Sequence, residues 1–273
     1  MPNKEDITLS PEKLGLTQRE IMYLFVFKML SSAPNHPGAL FAEMQERVPS
    51  DFLKSRTNFY AAMDEMLRFG WITFLVEGRK KIFSITPSGK EKMEWYRNTY
   101  YMPLSSVREI ANTLIMKISG SGREPVSERA RQHAKLFNRL INVRELVIYL
   151  FLEALHREKD LTAKDIYDII KHEYGWICSE GYVYELAHEL EGEPRKSKRK
   201  DEEITARRVP WIQGRWDGPR RNLYRYRLTD DGAKMRFQAG ETALFYIKNV
   251  HRYLHIIVEL LGDEGLTKVE VVG

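Results

Sequence analysis

The residues best suited to chemistry stand at the start of one short segment. Lys54-Ser55-Arg56-Thr57-Asn58, with Tyr60 just beyond, puts polar donors ahead of the apolar stripe Phe59, Met63, Met66, Leu67. That stripe, at i, i+4, i+7 and i+8, predicts a helix with Ser55 as its N-cap. Arg, Asn, Ser and Thr at an exposed helix start offer hydrogen bonds to phosphate oxygens and base edges. Further cations stand at Arg79, Lys80 and Lys81, in the run Arg195, Lys196, Lys198, Arg199, Lys200, and at Arg220 and Arg221. Between Pro194 and Arg227, twelve Lys/Arg face four Asp/Glu, a local excess of eight in a chain of net charge +5. So uneven a distribution points to a polyanionic partner. For the run taken alone, a solvated loop is the plainer reading.

Other chemistry is poorly represented. His251, His255 and Glu259 lie at i, i+4 and i+8, a spacing that can align metal ligands on a helix face. The plainer reading is a half-polar helix surface, and no metal site or cofactor is expected. No glycine-rich phosphate loop, Ser-His-Asp set or paired-carboxylate motif stands out, so no catalysis is expected. The single cysteine, Cys178, excludes an intrachain disulfide and a cysteine-based zinc site. No apolar run approaches the ~20 residues of a membrane span, and residues 1–12 carry no apolar signal core. The expected location is cytoplasmic, with no membrane partner.

The elements that position these residues occur twice. REIMYLFVFKML (Arg19–Leu30) aligns with RELVIYLFLEAL (Arg144–Leu155) at an offset of 125. Thr86-Pro87-Ser88-Gly89 aligns with Thr229-Asp230-Asp231-Gly232 at 143, so the second copy carries an insertion. Each copy predicts three helices, two strands and a Thr-x-x-Gly turn into a long helix. Thr17 with Glu20 and Thr162 with Asp165 have capping-box spacing. Pro103 is expected to break or kink the first long helix. The expected organisation is an arm at 1–15, a first domain at 16–118, a linker at 119–138, a second domain at 139–261 and a tail at 262–273. The expected fold class is mainly α with small β wings.

Three helices and a two-stranded ribbon make the plan of a winged helix-turn-helix. The chain resembles the PadR-type transcriptional regulators. The resemblance rests on Arg220-Arg221-Asn222-Leu223-Tyr224-Arg225-Tyr226-Arg227-Leu228-Thr229-Asp230-Asp231-Gly232, and on Lys80–Gly89 with Phe83 in place of Tyr. The family's third-helix Tyr falls on Tyr60 and Tyr184, where core packing and phosphate contact remain open. His36-Pro37-Gly38-Ala39-Leu40 is similar to the family's turn, whereas Leu161–Asp165 departs from it. The resemblance implies a winged-helix domain in each copy and a sequence-specific regulator of transcription, a repressor, with double-stranded DNA as partner; two modules in tandem, where such a chain normally carries one, follow from the repeat. It also implies a small-molecule effector in the crevice between modules. The alternatives are a plasmid or phage replication initiator and a protein-interaction scaffold. Arg56 and Asn58 are expected to read DNA. Glu180, Glu185 and Glu189 on the equivalent second helix would repel it, which leaves the second copy its wing. The stripe Leu244, Ile247, Leu254, Ile257, Val258, Leu261 on the last helix is expected to be covered by another element. A homodimer through that helix is favoured over a one-chain pseudo-dimer.

Overall fold

Two short antiparallel ribbons stand among helices, and each follows a group of three. The computed structural model describes residues 11–48, 55–122, 126–174, 178–192, 209–220 and 222–262. The first group is α1 (Gln18–Ser32), α2 (Pro37–Arg47) and α3 (Arg56–Arg68), then β1 (Ile72–Glu77) and β2 (Lys80–Ile85). The long helix α4 (Pro87–Ile118) follows, then the short α5 (Glu128–Arg131) and α6 (Ala134–Leu140). The second group is α7 (Val143–Arg157), α8 (Ala163–Glu173) and α9 (Glu180–Leu190), then β3 (Ile212–Asp217) and β4 (Leu223–Leu228). The last helix is α10 (Asp230–Leu261). Among the described residues the fold is therefore mainly α with two small antiparallel sheets.

Local sequence explains where the helices start. Both capping boxes form: Thr17 with Glu20, and Thr162 with Asp165. Ser55 accepts from the Asn58 N–H and Ser179 from the Tyr182 N–H. At α2 the cap is His36, whose Nδ1 accepts from the Gly38 N–H at 3.0 Å, with Pro37 at the first helical position. Pro103 does not end α4, which continues through it.

The central helices are apolar on every side because they are covered on every side. In α1, Ile21 through Lys28 are all buried; in α7, Leu146 through Leu152 are. Each group adds the same third pairing to its ribbon. Asn35, between α1 and α2, bridges Phe83, and Leu161, between α7 and α8, bridges Tyr226. The Thr-x-x-Gly turn has one geometry in both copies. The Thr86 hydroxyl accepts from the Gly89 N–H at 3.1 Å, and that of Thr229 from the Gly232 N–H at 3.0 Å. A Cβ at Gly89 would stand 2.0 Å from the Trp71 carbonyl oxygen, and one at Gly232 would stand 1.9 Å from that of Trp211. Only glycine permits this approach.

The elements before and after the insertion are joined as in the first copy. The Trp71 N–H donates to the Met66 carbonyl across four intervening residues. The Trp211 N–H makes the same bond to Leu190 across twenty. The chain divides into two compact units, Met1–Arg108 with His251–Gly273, and Glu109–Val250. These cuts fall inside α4 and α10, so each long helix starts in one unit and ends in the other.

The stripe on α10 needs no second chain. Ile247, Leu254, Ile257, Val258 and Leu261 are all buried within this one chain, and Leu244 is half-buried. In the first unit, Lys28 Nζ donates to the Gly262 carbonyl at 2.6 Å and Arg97 Nε to that of Leu261 at 2.9 Å. Two cations thus satisfy carbonyls at the end of this helix. An uncovered stripe was the basis for expecting a homodimer, and that basis is removed.

Candidate nucleic-acid interface

The N-terminus of α3 displays the predicted side chains. Ser55, Arg56 and Thr57 are exposed, and Asn58 and Tyr60 are half-buried. The same helix is held from behind. Phe59, Ala62, Met63 and Met66 are buried. Glu65 accepts from Arg19 Nη1 at 2.9 Å and from the Tyr23 hydroxyl, which ties α3 to α1. The bond from Tyr23 holds the Glu65 carboxyl below its ordinary range, and burial with that carboxylate beside it raises the Tyr23 phenol.

Arg56 is not a loose surface cation. Its guanidinium lies 5.5 Å from the Tyr60 ring centroid and 6.0 Å from that of Phe41. Its Nη2 donates to the Tyr60 hydroxyl at 3.4 Å. This shelf limits the rotamers of Arg56 before any ligand is met. Tyr60 itself is half-buried, with its ring and hydroxyl against Arg56.

The first ribbon carries Arg79 and Lys80 at its exposed turn, where Gly78 adopts φ +62°. Lys81 Nζ lies 4.4 Å from the Phe74 ring centroid. Beside these cations Leu75 and Val76 are strongly exposed. Lys54, Arg195, Lys196, Lys198, Arg199, Lys200 and Arg221 lie outside the described residues. Arg220 is described and is exposed in the turn of the second ribbon.

The second copy differs from the sequence expectation at two points. Glu189 does not face outward as a bare carboxylate: it accepts from Arg144 of α7 and is largely buried. Of the three carboxylates expected to repel DNA, Glu180 and Glu185 remain at the surface, and Glu180 is 3.8 Å from Lys164. Spacing gave no hint of this pairing, which depends on α7 and α9 packing together. Sequence reading also passed over Asp160, around which Arg215, Arg225 and Arg227 gather.

The second unit also contains a cleft of about 760 Å³. Tyr149, Glu153 and Arg157 line it from one face of α7, with Lys117 of α4, Glu173 of α8 and Arg236 of α10. Arg236 pairs with Glu153 at 2.5 Å and Arg157 with Glu173 at 2.6 Å. Burial beside Glu153 raises the Tyr149 phenol and keeps it a donor. In the first unit, His255 Nε2 sits 3.3 Å from Glu259, and Arg108 stands 3.5 Å from His255 Nδ1. Burial, then His255 and Arg108, lower the His251 pKa. Among the described residues, no group of three His, Cys, Asp or Glu side chains could hold a metal ion. Nor, among them, is any helix long and apolar enough to cross a membrane.

The chain matches no protein-family model, no curated protein and no solved structure.

Proposed function

We propose that this chain is a tandem winged helix-turn-helix protein of PadR-like type that binds duplex DNA and regulates transcription as a repressor. The observation that carries this reading is the repeated plan, three helices and a ribbon with a third bridging segment. The bridges Asn35–Phe83 and Leu161–Tyr226 occupy equivalent places in the two copies. The exposed start of α3 supports a reading role for the first copy. Arg56, Thr57 and Asn58 offer donors there, on a helix whose opposite face is fixed in the core. The second copy, with Glu180 and Glu185 on its equivalent helix, contributes through its ribbon and the basic insertion. Because the α10 stripe is covered within one chain, both modules act from a monomer. An effector would enter the cleft of the second unit, whose volume lies in the ~300–1,000 Å³ range of small-molecule sites.

The test is selection of a preferred duplex from random sequence, followed by binding with Arg56→Ala/Asn58→Ala. On the selected duplex the double variant should bind more weakly by ~1–3 kcal/mol for each base edge it no longer reads, and by far less on random DNA. Equal weakening on both would show that α3 does not read sequence. An inability to enrich any duplex would favour a protein-interaction role.

A further inference from the structure

Three arginines of the second ribbon gather on one residue, two of them on its carboxylate. Asp160 adopts φ +63°, alone among the described non-glycine residues. The left-handed region is disfavoured for L residues and least so for Asp and Asn. The turn at Asp160 directly precedes Leu161, whose bridge to Tyr226 seats it beside β4. Arg227 grips the carboxylate with two prongs, Nε at 2.5 Å and Nη2 at 2.7 Å. Arg215 Nη2 donates to the same carboxylate at 3.1 Å, and Arg225 Nη1 to the Asp160 carbonyl at 2.8 Å. Arg225 Nε also reaches Asp217 at 2.9 Å.

The ribbon does not need this cluster in order to form. Matching the registers and bridges of the two copies places Leu75, Ile82 and Ser84 where Arg215, Arg225 and Arg227 stand. Pro34 takes the place of Asp160. The first ribbon thus makes the same pairings with no charged side chain at these three positions. The cations are also accessible: the Arg215 and Arg227 side chains are about half exposed, at 57% and 51%. A guanidinium fork that fits a carboxylate fits a phosphodiester equally well. Solvent reaches both forks, so an incoming phosphate can compete for them.

We propose that Arg215 and Arg227, with Arg225 at the edge, form a site for a backbone phosphate of duplex DNA, and that Asp160 occupies it as an internal competitor. This rests on the DNA-binding reading above. DNA binding then exchanges one anion for another at preset arginines, and the second copy is held below its full affinity.

Asp160→Asn removes the competing charge and keeps a side chain that tolerates positive φ. Anisotropy titrations with labelled duplexes over a series of salt concentrations should show affinity raised severalfold for any sequence. The slope of log affinity against log salt should steepen by about one to two, as two freed guanidinium groups each release ~0.9 counterion. Adding Arg215→Gln and Arg227→Gln to the variant should abolish both gains. An unchanged affinity and slope, with the wild type binding normally, would overturn the proposal and leave the DNA reading intact. A fall in affinity would also overturn it, because Asp160 would then order the arginines instead of competing. A wild type with no salt-dependent binding would overturn the DNA reading and this proposal with it. Should Asp160→Asn melt early by circular dichroism, Asp160→Gly supplies the same charge change at a backbone angle glycine favours.

Discussion

At the scale of single residues, two glycines and one carboxylate show how position sets chemistry. Gly89 and Gly232 lie where a helix start meets a tryptophan carbonyl, and any Cβ there would overlap backbone. Gly89→Ala or Gly232→Ala should each destabilise the protein by about 1–3 kcal/mol, read from denaturant midpoints at unchanged slope. Asp160 gives a sign-definite pH effect. Its bond from Arg227, aided by Arg215, holds its carboxyl down to about 2. A depressed folded-state value means that its stabilisation is complete above the ordinary carboxylate range near ~4. That stabilisation disappears as pH falls through about 2. Melting temperatures of wild type and Asp160→Asn should therefore differ at neutral pH and converge as the solution is acidified towards the folded-state value. A gap that persists in acid would show that the ion pairs are not its source. Cys178 is buried, and burial raises its thiol to about 11. A thiol-specific reagent in mildly alkaline buffer should react only when denaturant opens the protein.

At the scale of elements, the two copies put similar helices to different tasks. α3 is pinned to α1 by Glu65 with Arg19 and Tyr23, and α9 is pinned to α7 by Glu189 with Arg144. The same lateral attachment leaves Arg56 and Asn58 forward in one and Glu180 and Glu185 forward in the other. The insertion falls in sequence between Leu190 and Trp211, whose hydrogen bond matches that of Met66 and Trp71. Glu191, at its start, accepts from the Gly214 N–H and the Tyr224 hydroxyl of the ribbon. Neutralising Arg195, Lys196, Lys198, Arg199 and Lys200 should weaken binding to all duplexes alike. The salt slope should flatten by up to ~0.9 for each phosphate that is no longer neutralised. A slope that stays the same would assign the run to solvent. This change is opposite in sign to the one expected for Asp160→Asn, so the two variants separate the insertion from the ribbon face.

At the scale of the whole molecule, the α10 stripe is covered within one chain. Ile247 and Leu254 are 1% and 0% exposed within a single chain. Replacing both with Glu should not release soluble monomers from a dimer. It should bury two unpaired carboxylates and unfold the protein, with a cost of about 4 kcal/mol or more. Light scattering of the wild type at micromolar concentration should give one chain. A stable dimer of native protein, with the double Glu variant a folded monomer, would refute the covering of this helix in cis.

The repeat, the helix caps, the ribbons and the apolar central helices were legible in the sequence because each depends on near neighbours in the chain. Thr17 and Thr162 cap with residues three places on, and the Thr-x-x-Gly turn closes within four. The exposed donors of α3 were legible for the same reason: an apolar stripe at helical spacing fixes which side chains face away. Tertiary structure alone decided the partners separated by long stretches of chain. Periodicity showed that α10 had an apolar stripe, but burial of the stripe in the same chain depends on how the helices pack. Glu189 looked like a surface charge until α7 brought Arg144 beside it. Asp160 lies 55, 65 and 67 residues from the arginines it holds, across the whole insertion. Sequence spacing carries no information about which of many arginines meets a given carboxylate. Here that is settled by the Leu161–Tyr226 bridge, which sets Asp160 against the ribbon face where all three arginines emerge.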